Sequence, residues 1–170
     1  MEFQLDDSHQ PRKLAGMLPK FEYVMQTRVI TGKGMTMGSY GGTGTRIMVP
    51  VAGGDFDGPA GLKGRIVPGG TEWPLVRPDT VGTIDARYSF ETDDGVFFNV
   101  RNTGFRYGPP DVMQKLNSGD GWVDPDQYYF RTWAVFEAPL GKYEWLSRFV
   151  FLGIGERVPE CLFLRYYKML

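Results

Sequence analysis

A short group of charged and aromatic residues could carry out acid–base chemistry on a small molecule. Glu72 stands beside Trp73 directly after a Pro-Gly-Gly turn, and Asp85, Arg87 and Arg101 follow inside two strand-like segments. A carboxyl group packed against an indole ring loses hydration, which raises its pKa toward neutral and suits it to proton transfer. We therefore expect Glu72 and Asp85 to form a catalytic acid–base pair.

Three arginines are candidates for holding a negatively charged oxygen of the substrate. Arg87, Arg101 and Arg131 each lie in a strand-like segment, and a guanidinium group donates paired hydrogen bonds to a carboxylate, phenolate or enolate. The phenol groups of Tyr40 and Tyr129 are candidate donors to the same oxygen. We expect Tyr40 to belong to the catalytic group and the other four residues to bind the substrate.

Strand alternation leaves open which way these charged side chains point. Arg101 shares a strand face with Phe97, and Arg131 shares one with Trp133. Faces that mix charged and aromatic residues are typical of a barrel that binds a ligand in its interior. The alternative is that the charges form cross-strand pairs in solvent around a barrel filled by apolar side chains. We predict the first arrangement, in which Trp73 lines the same pocket.

The residue counts exclude several classes of protein. A single histidine, His9, and a single cysteine, Cys161, cannot build the usual zinc site, and we expect neither a metal nor another cofactor. A formal net charge of -1 with both signs interspersed lacks the basic surface of a nucleic-acid-binding protein. No apolar run reaches the length of a membrane span, and no signal-peptide pattern is visible, so we expect a cytoplasmic protein.

Short strand-like segments separated by turn residues dominate the chain. Their number and spacing predict an all-β protein: one antiparallel barrel of the calycin or lipocalin type over residues 1–170, with residues 1–20 loosely ordered. The predicted strands are 21–30, 46–51, 62–68, 83–92, 95–102, 127–137, 143–155 and 161–169.

Three connecting segments carry more specific signals. Asp93-Asp94-Gly95 predicts a tight hairpin, because Asp-Gly suits the positive φ angles of a type I′ turn. Residues 109–117 predict one short helix inside the long loop 107–127, which is either a lid or a tolerated insertion. The glycine-rich residues 32–46 lack the spacing of a phosphate-binding loop, and we interpret them as a flexible loop with tight turns.

Several motifs, in the same order along most of the chain, resemble the DUF3237 (UPF0311) family of small β-barrel proteins. They are GTRIMVPVAGGDFDGP, GRIVPGGTEWPLVRPD, TIDARYSFETDDG, YYFRTWAVFE, YEWLSRFVFLGIGER and LRYYKM. The resemblance implies a calycin-like barrel and small aromatic or polyketide-like ligands. Positions that fall on the family's motifs are Glu72, Trp73, Asp85, Arg87, Tyr88, Arg131 and Trp145, and the resemblance adds Trp145 to the expected substrate-binding residues. The family usually has Asp at position 72 and Asn at position 147, where this chain has Glu and Ser.

Two functions follow from these residues, and a third from the high aromatic content. The first is a cofactor-independent lyase, isomerase or cyclase that acts on a hydrophobic, aromatic or polyketide-like substrate. The second is a binding or carrier barrel with the same pocket and no turnover, because sequence alone does not separate a catalytic carboxyl from a binding one. The third is a structural subunit whose aromatic surface forms an oligomer interface, with a homodimer as the simplest case. Neither nucleic acid nor a membrane is an expected partner.

Overall fold

The computed structural model describes residues 18–119, 121–159 and 161–170 of the chain. His9 and most of the segment expected to be loosely ordered lie outside these residues. The described strands are β1 (Phe21–Thr31), β2 (Met35–Ser39), β3 (Thr45–Asp57), β4 (Gly64–Glu72), β5 (Leu75–Val76), β6 (Gly82–Thr92), β7 (Phe97–Tyr107), β8 (Tyr129–Glu137), β9 (Phe151–Arg157) and β10 (Cys161–Met169). The helices are α1 (Pro110–Ser118) and the short 3-10 segments Pro59–Gly61, Pro125–Gln127 and Glu144–Arg148.

The strands close into an antiparallel barrel of eight. The order of hydrogen-bonded neighbours is β1, β10, β9, β8, β7, β6, β4 and β3, and β3 pairs back onto β1. Strand β2 extends the sheet beyond β3, and β5 bridges β3 and β6. Closure gives each barrel strand a hydrogen-bonded neighbour on both sides. The predicted all-β barrel is therefore confirmed, with α1 as the one α-helix of the described residues.

Alternation along the strands sorts side chains between the interior and the outer surface. In β6, Ile84, Ala86, Tyr88 and Phe90 are buried, and the residues between them face outward. Strands β7 and β8 alternate in the same way, with Phe98, Val100 and Asn102 inside on β7 and Phe130, Thr132 and Phe136 inside on β8. The interior of the barrel is thus built from one face of each strand.

The end of the barrel beside the β6–β7 hairpin is filled by aromatic rings. Phe90 stacks on Phe98 with centroids 4.6 Å apart, and Phe56 meets both rings edge-on. Phe136 contacts Phe98 and packs edge-on against Phe151. Close packing of these five rings makes that end the apolar base of the barrel.

Three local predictions need correction. The Asp93-Asp94-Gly95 hairpin forms, but Gly95 alone takes a positive φ (81°), whereas a type I′ turn needs two such residues. Residues 143–155 are not one strand, because residues 144–148 form a 3-10 turn before β9 begins. Residues 32–46 are not only a loop, since they contain β2, whose pairing with β3 orders the glycine-rich segment.

A helix with the length and hydropathy needed to cross a bilayer is absent from the residues that the structure describes.

Gly54 lies where β3 pairs with both of its barrel neighbours, opposite Val29 on β1 and Ile66 on β4. Its φ of 138° is rare for residues with a side chain, and an added Cβ would overlap the carbonyl oxygen of Arg28. We expect Gly54→Ala to lower the free energy of unfolding by about 2–4 kcal/mol, because the β1–β3 closure must distort. Urea denaturation followed by circular dichroism measures the change.

The control is Gly32→Ala, where the nearest atom to an added Cβ is 3.5 Å away and φ is ordinary. We expect this control to change stability by less than about 1 kcal/mol. Equal stabilities for the two variants would show that the barrel does not need a glycine at the closure.

Candidate functional site

The interior of the barrel contains a small cavity at the end opposite the aromatic base. Its volume is about 20 Å³, which is room for one water molecule. Four polar side chains, Thr31, Glu72, Tyr88 and Asn102, line it among apolar neighbours. The apolar walls are Val29, Val51, Ile84, Ala86, Phe130, Leu162 and Leu164. A carboxyl group in such surroundings is the feature around which a reactive site can be built.

An irregularity in β4 places Glu72 at this cavity. The pairing of β4 with β6 shifts between Val67 and Thr71, so the Pro68–Gly70 segment bulges out of the ladder. Gly69 takes a φ of 109°, and Gly70 lies so close to Tyr88 that a Cβ would overlap its side chain. After the bulge, Glu72 pairs with Ala86, an inward-facing position. The prediction that the Gly-Gly turn puts Glu72 at a strand end agrees with this geometry.

Two arginines act on the carboxyl group of Glu72 through space. Arg106 lies near the end of β7, and Arg157 is the last residue of β9. Burial raises the pKa of Glu72, and the positive charges of Arg106 and Arg157 oppose that rise. Within the described part of the chain Glu72 makes no ion pair closer than 4 Å, so desolvation decides the direction. The raised pKa is that of a group which can exchange protons closer to neutral pH.

The surroundings of the two arginines hold them at this end of the barrel. The Arg106 guanidinium lies over the Phe130 ring at 5.7 Å, and its Nη2 donates to Asn117 Oδ1 of α1 at 3.1 Å. Burial lowers the pKa of Arg106, with the charge of Glu72 acting against that change. The backbone N–H of Arg157 donates to the hydroxyl oxygen of Tyr128 at 2.9 Å. These contacts also fix the loop between β7 and β8 over the site.

Unused hydrogen-bonding capacity is concentrated around this end of the interior. Among the described residues, the buried Nε atoms of Arg106 and Arg157 have no acceptor. Asn102 Oδ1 and Thr132 Oγ1, on neighbouring inward positions of β7 and β8, are also buried without a partner. Buried polar atoms without partners are uncommon, because each one loses its bonds to water and gains none in return. Their grouping indicates a place where a polar group of a ligand, or water, completes the network.

A tyrosine pair continues the polar surface toward the middle of the barrel. The hydroxyl oxygens of Tyr88 and Tyr166 are 3.2 Å apart, and both rings are buried. Burial raises the pKa of both phenols, and the negative charge of Glu72 contributes to the rise at Tyr88. Both tyrosines therefore stay protonated near neutral pH, and Tyr88 lies close enough to Glu72 to feel its charge.

The predicted partners of Glu72 on β6 and β7 lie on the other side of the barrel wall. Asp85 and Arg101 form an ion pair at 3.5 Å on the outer surface, with 44% and 54% of their side chains exposed. Arg87 faces outward directly opposite Arg101. The expectation that Glu72 shares one cavity with Asp85 and one of these arginines is wrong. Even-numbered residues of β6 and β7 point into the barrel, whereas Asp85, Arg87 and Arg101 occupy the alternate positions and point outward.

Trp73 and Tyr40 lie outside the interior as well. Trp73 follows the last residue of β4, and 41% of it is exposed. Its indole N–H donates to Thr71 Oγ1 at 3.3 Å, and its carbonyl oxygen accepts from Arg46. Tyr40 is exposed in the turn between β2 and β3. The shared pocket predicted for Trp73 and Glu72 is therefore wrong, and the desolvation of Glu72 comes from the barrel interior instead.

The remaining predicted residues lie in two other places. Tyr129 and Arg131 face outward on β8, where Arg131 lies 5.4 Å from the Tyr129 ring centroid in an open groove of about 430 Å³. Trp145 lies in the 3-10 turn before β9 and contacts the ring of Phe151, at the far end of β9 from Arg157. None of the three lines the cavity of Glu72.

Sequence reasoning missed Arg106, Arg157 and Asn102. A usable signal exists in β7, where Asn102 and Arg106 share the parity of Val100 while Arg101 shares that of Phe97. Val100 marks the inward face of β7, and counting every second residue from Val100 along the strand leads to Arg106. Arg157 carries no comparable signal, because it ends the short strand β9 as one charge among several.

The described residues contain no group of three or more His, Cys, Asp or Glu side chains suited to holding a metal ion. The charged groups at the interior end, one carboxyl and two guanidinium groups, are also an unsuitable donor set for a cation. The side chains of this site themselves offer proton transfer and hydrogen bonding.

Comparison with known proteins gives consistent matches over most of the chain. The family model described as "Protein of unknown function (DUF3237)" matches residues 19–169. A UPF0311 protein of Rhodopseudomonas palustris strain TIE-1 is 37% identical over 129 residues, covering 76% of this chain and 83% of that protein. A crystal structure of a conserved protein of unknown function from Rhodopseudomonas palustris superimposes with a TM-score of 0.83 at 32% identity, covering 91% of this chain and 99% of the other.

A more distant match is the crystal structure described as an enzyme from Penicillium herquei. It has a TM-score of 0.67 and 20% identity, and it covers 89% of this chain and 95% of the other. At that identity the likeness extends to the fold alone.

The raised pKa of Glu72 predicts how stability depends on pH. Below the ordinary glutamate value of 4.5 the carboxyl is protonated in both the folded and unfolded chain, and burial then costs no charge. As pH rises through the higher folded pKa, the unfolded chain releases the proton first, and the folded state loses stability. We expect the wild type to lose about 1.4 kcal/mol relative to Glu72→Gln for each unit by which the pKa is raised.

Urea unfolding of both proteins between pH 4 and pH 8 measures this difference, with Asp85→Asn as the control for an outward-facing carboxyl. Stability that increases with pH relative to Glu72→Gln would mean that the arginines outweigh desolvation at Glu72.

Proposed function

The chain belongs to the DUF3237 family, whose function is unknown, and we propose that it is a cofactor-independent enzyme of the lyase, isomerase or cyclase type. Glu72 is the general acid–base group of this proposal, and its substrate is a hydrophobic, aromatic or polyketide-like molecule. The observation that supports it is a carboxyl group with a raised pKa, placed in a mostly apolar cavity of the barrel interior and near two guanidinium groups. Functional sites are where such arrangements concentrate.

Proton transfer by Glu72 fits a reaction at a carbon next to a carbonyl group. The carboxylate would take a proton from that carbon, and the electron pair of the C–H bond would move onto the carbonyl oxygen. Return of the proton at another position gives an isomer, and expulsion of a neighbouring group or ring closure gives a lyase or cyclase reaction. Proton transfer by a positioned side chain typically accelerates a reaction by about 10²–10⁴-fold, and it is most effective when the pKa of the base lies near the working pH.

Arg106 and Arg157 take the role that the sequence assigned to outward-facing arginines. Their unoccupied Nε–H groups can donate to an enolate or phenolate oxygen as negative charge develops on it. Because Glu72 becomes neutral when it takes the proton, the negative charge moves from the carboxylate to the substrate oxygen and stays near the two guanidinium groups. Asn102 and Thr132 offer two further unpaired polar atoms to the remaining groups of the substrate.

The closed interior requires a movement before an aromatic molecule can reach Glu72. A cavity of about 20 Å³ is far smaller than a ring system. The segment between β7 and β8 closes this end: Asn117 of α1 accepts from Arg106, and Met113 and Leu116 of the same helix are buried. The hypothesis that this long loop is a lid therefore gains support over a tolerated insertion, because loop closure of this kind excludes water from a reaction.

A carrier with the same interior is the second candidate, favoured by the predominantly apolar walls of the cavity. Binding needs only a complementary pocket, whereas turnover needs a titrating group at the reacting atom. A neighbour of the same fold is described as an enzyme, which supports the first candidate rather than the carrier. Loss of turnover without loss of affinity on replacing Glu72 separates the two functions.

Hydrogen–deuterium exchange at carbon tests the acid–base proposal with simple ketones in place of the natural substrate. A panel of aromatic and phenolic ketones is incubated with the protein in D₂O, and exchange next to the carbonyl is followed by proton NMR. We expect Glu72→Gln to slow the exchange at least about a hundredfold, because the base is lost. Asp85→Asn, an outward-facing carboxyl, should exchange at the wild-type rate. Exchange that is absent in the wild type, or equal in Glu72→Gln, would leave the carrier function as the better explanation.

Binding of an anionic aromatic probe tests the part given to Arg106. We expect Arg106→Gln to weaken binding of 8-anilinonaphthalene-1-sulfonate at least about tenfold, because a hydrogen bond to a charged group is lost. The uncharged analogue N-phenyl-1-naphthylamine should bind the variant and the wild type alike. Fluorescence titration gives both affinities.

The matched control is Arg131→Gln, in the outer groove where the sequence placed substrate binding. Weaker sulfonate binding in Arg131→Gln together with unchanged binding in Arg106→Gln would locate the ligand in that groove and contradict the interior site.

A further inference from the structure

The outer surface of strands β7 to β10 and the start of β1 is unusually apolar. Six large side chains border the open groove of about 430 Å³ and are themselves exposed: Phe21, Phe105, Tyr129, Trp133, Leu152 and Ile154. We call this surface the aromatic face. Trp133 lies near its centre and is 46% exposed. Solvent-facing positions of a strand are ordinarily polar, so this face needs an explanation.

Strand register makes the aromatic face continuous. Trp133 on β8 pairs with Leu152 on β9, and Leu152 pairs with Tyr167 on β10. In the neighbouring row, Phe105 on β7 and Ile154 on β9 flank Arg131. Because paired residues on one face of a sheet are about 5 Å apart, these side chains form one surface rather than scattered exposed residues.

The opposite part of the same barrel shows how this chain builds a surface that faces water. There the outward positions hold cross-strand ion pairs, Arg28 with Asp55 between β1 and β3 and Arg65 with Glu91 between β4 and β6. The contrast lies within one protein and one fold. The aromatic face therefore differs from the surface around these two ion pairs.

The exposed area of the aromatic face matches what a stable protein–protein contact buries. An aromatic side chain has about 150–250 Å² of surface, so the four aromatic residues of the face, which are 38–48% exposed, leave roughly 60–120 Å² each. With the exposed Tyr23, Tyr107 and Val135 beside it, the apolar surface is on the order of 700 Å². A typical interface buries about 800 Å² on each partner, and the largest apolar patch of a monomer is usually about 300–600 Å².

The border of the aromatic face carries both signs of charge. Arg131 and Arg165 adjoin Asp126 and Glu156 in the hollow next to the groove. A membrane surface would favour a rim of positive charges alone. A mixed rim around an apolar centre is the composition of a protein interface, and in a two-fold contact the arginines of one copy meet the carboxylates of the other.

We infer that the aromatic face is the interface of a homodimer, in which a second copy of this chain covers the groove around Trp133. This inference does not depend on the function proposed for the interior. It replaces the substrate-binding role expected for Tyr129 and Arg131 with a role in association. It also assigns a defined surface to the oligomer interface that the high aromatic content of the sequence suggested.

Sedimentation velocity of the full chain over a range of concentrations tests the dimer. We expect a species of twice the chain mass, and Trp133→Glu should weaken the dimer at least about thirtyfold, because a central aromatic anchor becomes a buried charge. Ile154→Lys, a second substitution on the face, should act in the same direction. Leu140→Glu adds the same charge at a 90% exposed loop position and should leave the dimer intact.

Circular dichroism and thermal unfolding confirm that the variants fold. Because the chain has four tryptophans, the accessibility of Trp133 to acrylamide is taken from the difference in fluorescence quenching between the wild type and Trp133→Phe. A wild type that stays monomeric overturns the inference. This holds whether acrylamide reaches Trp133 freely or another part of the same chain covers Trp133. Unchanged dimerisation in both Trp133→Glu and Ile154→Lys overturns it as well. A monomer that binds to neutral phosphatidylcholine vesicles would assign the face to a lipid surface instead.

Discussion

Closure of the barrel by the pairing of β3 with β1 is the constraint on which the rest of the structure depends. Once the sheet is closed, every strand must send one parity of its side chains into a narrow interior and the other parity outward. Gly54 makes this pairing sterically feasible, because no side chain fits between it and the Arg28 carbonyl. The aromatic base, the cavity of Glu72 and the aromatic face all follow from which parity each residue occupies.

The interior of this barrel carries a charged group that folding alone does not explain. Phe or Leu at position 72 would fill the space without the desolvation that raises the pKa of Glu72. The two nearby guanidinium groups lower that cost only through space, and each keeps an unused buried N–H. Stability is therefore not what this arrangement optimises. Groups held apart and incompletely satisfied are poised to gain partners when a ligand arrives, which is what an electrostatically prepared site requires.

The sequence predicted the barrel, most of its strands, the helix in the long loop and the position of Glu72 at a strand end. Those features depend on local alternation, turn residues and one conspicuous bulge, all of which are visible in the chain. It did not predict which arginines lie near Glu72. Alternation shows which residues share a strand face, but a further rule is needed to decide which face points inward, and the usual rule gave the wrong face here. The rule that aromatic residues mark the inside assigned Arg101 and Arg131 to the interior through Phe97 and Trp133, yet those aromatic residues lie on the outer surface.

The interior and the outer surface are linked because the same strands serve both. Phe105 and Arg106 are neighbours on β7 and point to opposite sides of the wall, and β9 carries Ile154 outward while Arg157 ends the strand at the polar site. A partner packed against the outer face would restrict the motion of the same strand ends that position the guanidinium groups. Preorganised charges are effective only when they do not relax toward one another. A partner bound to the aromatic face would thus keep the strands around the interior site rigid while the loop above the site moves.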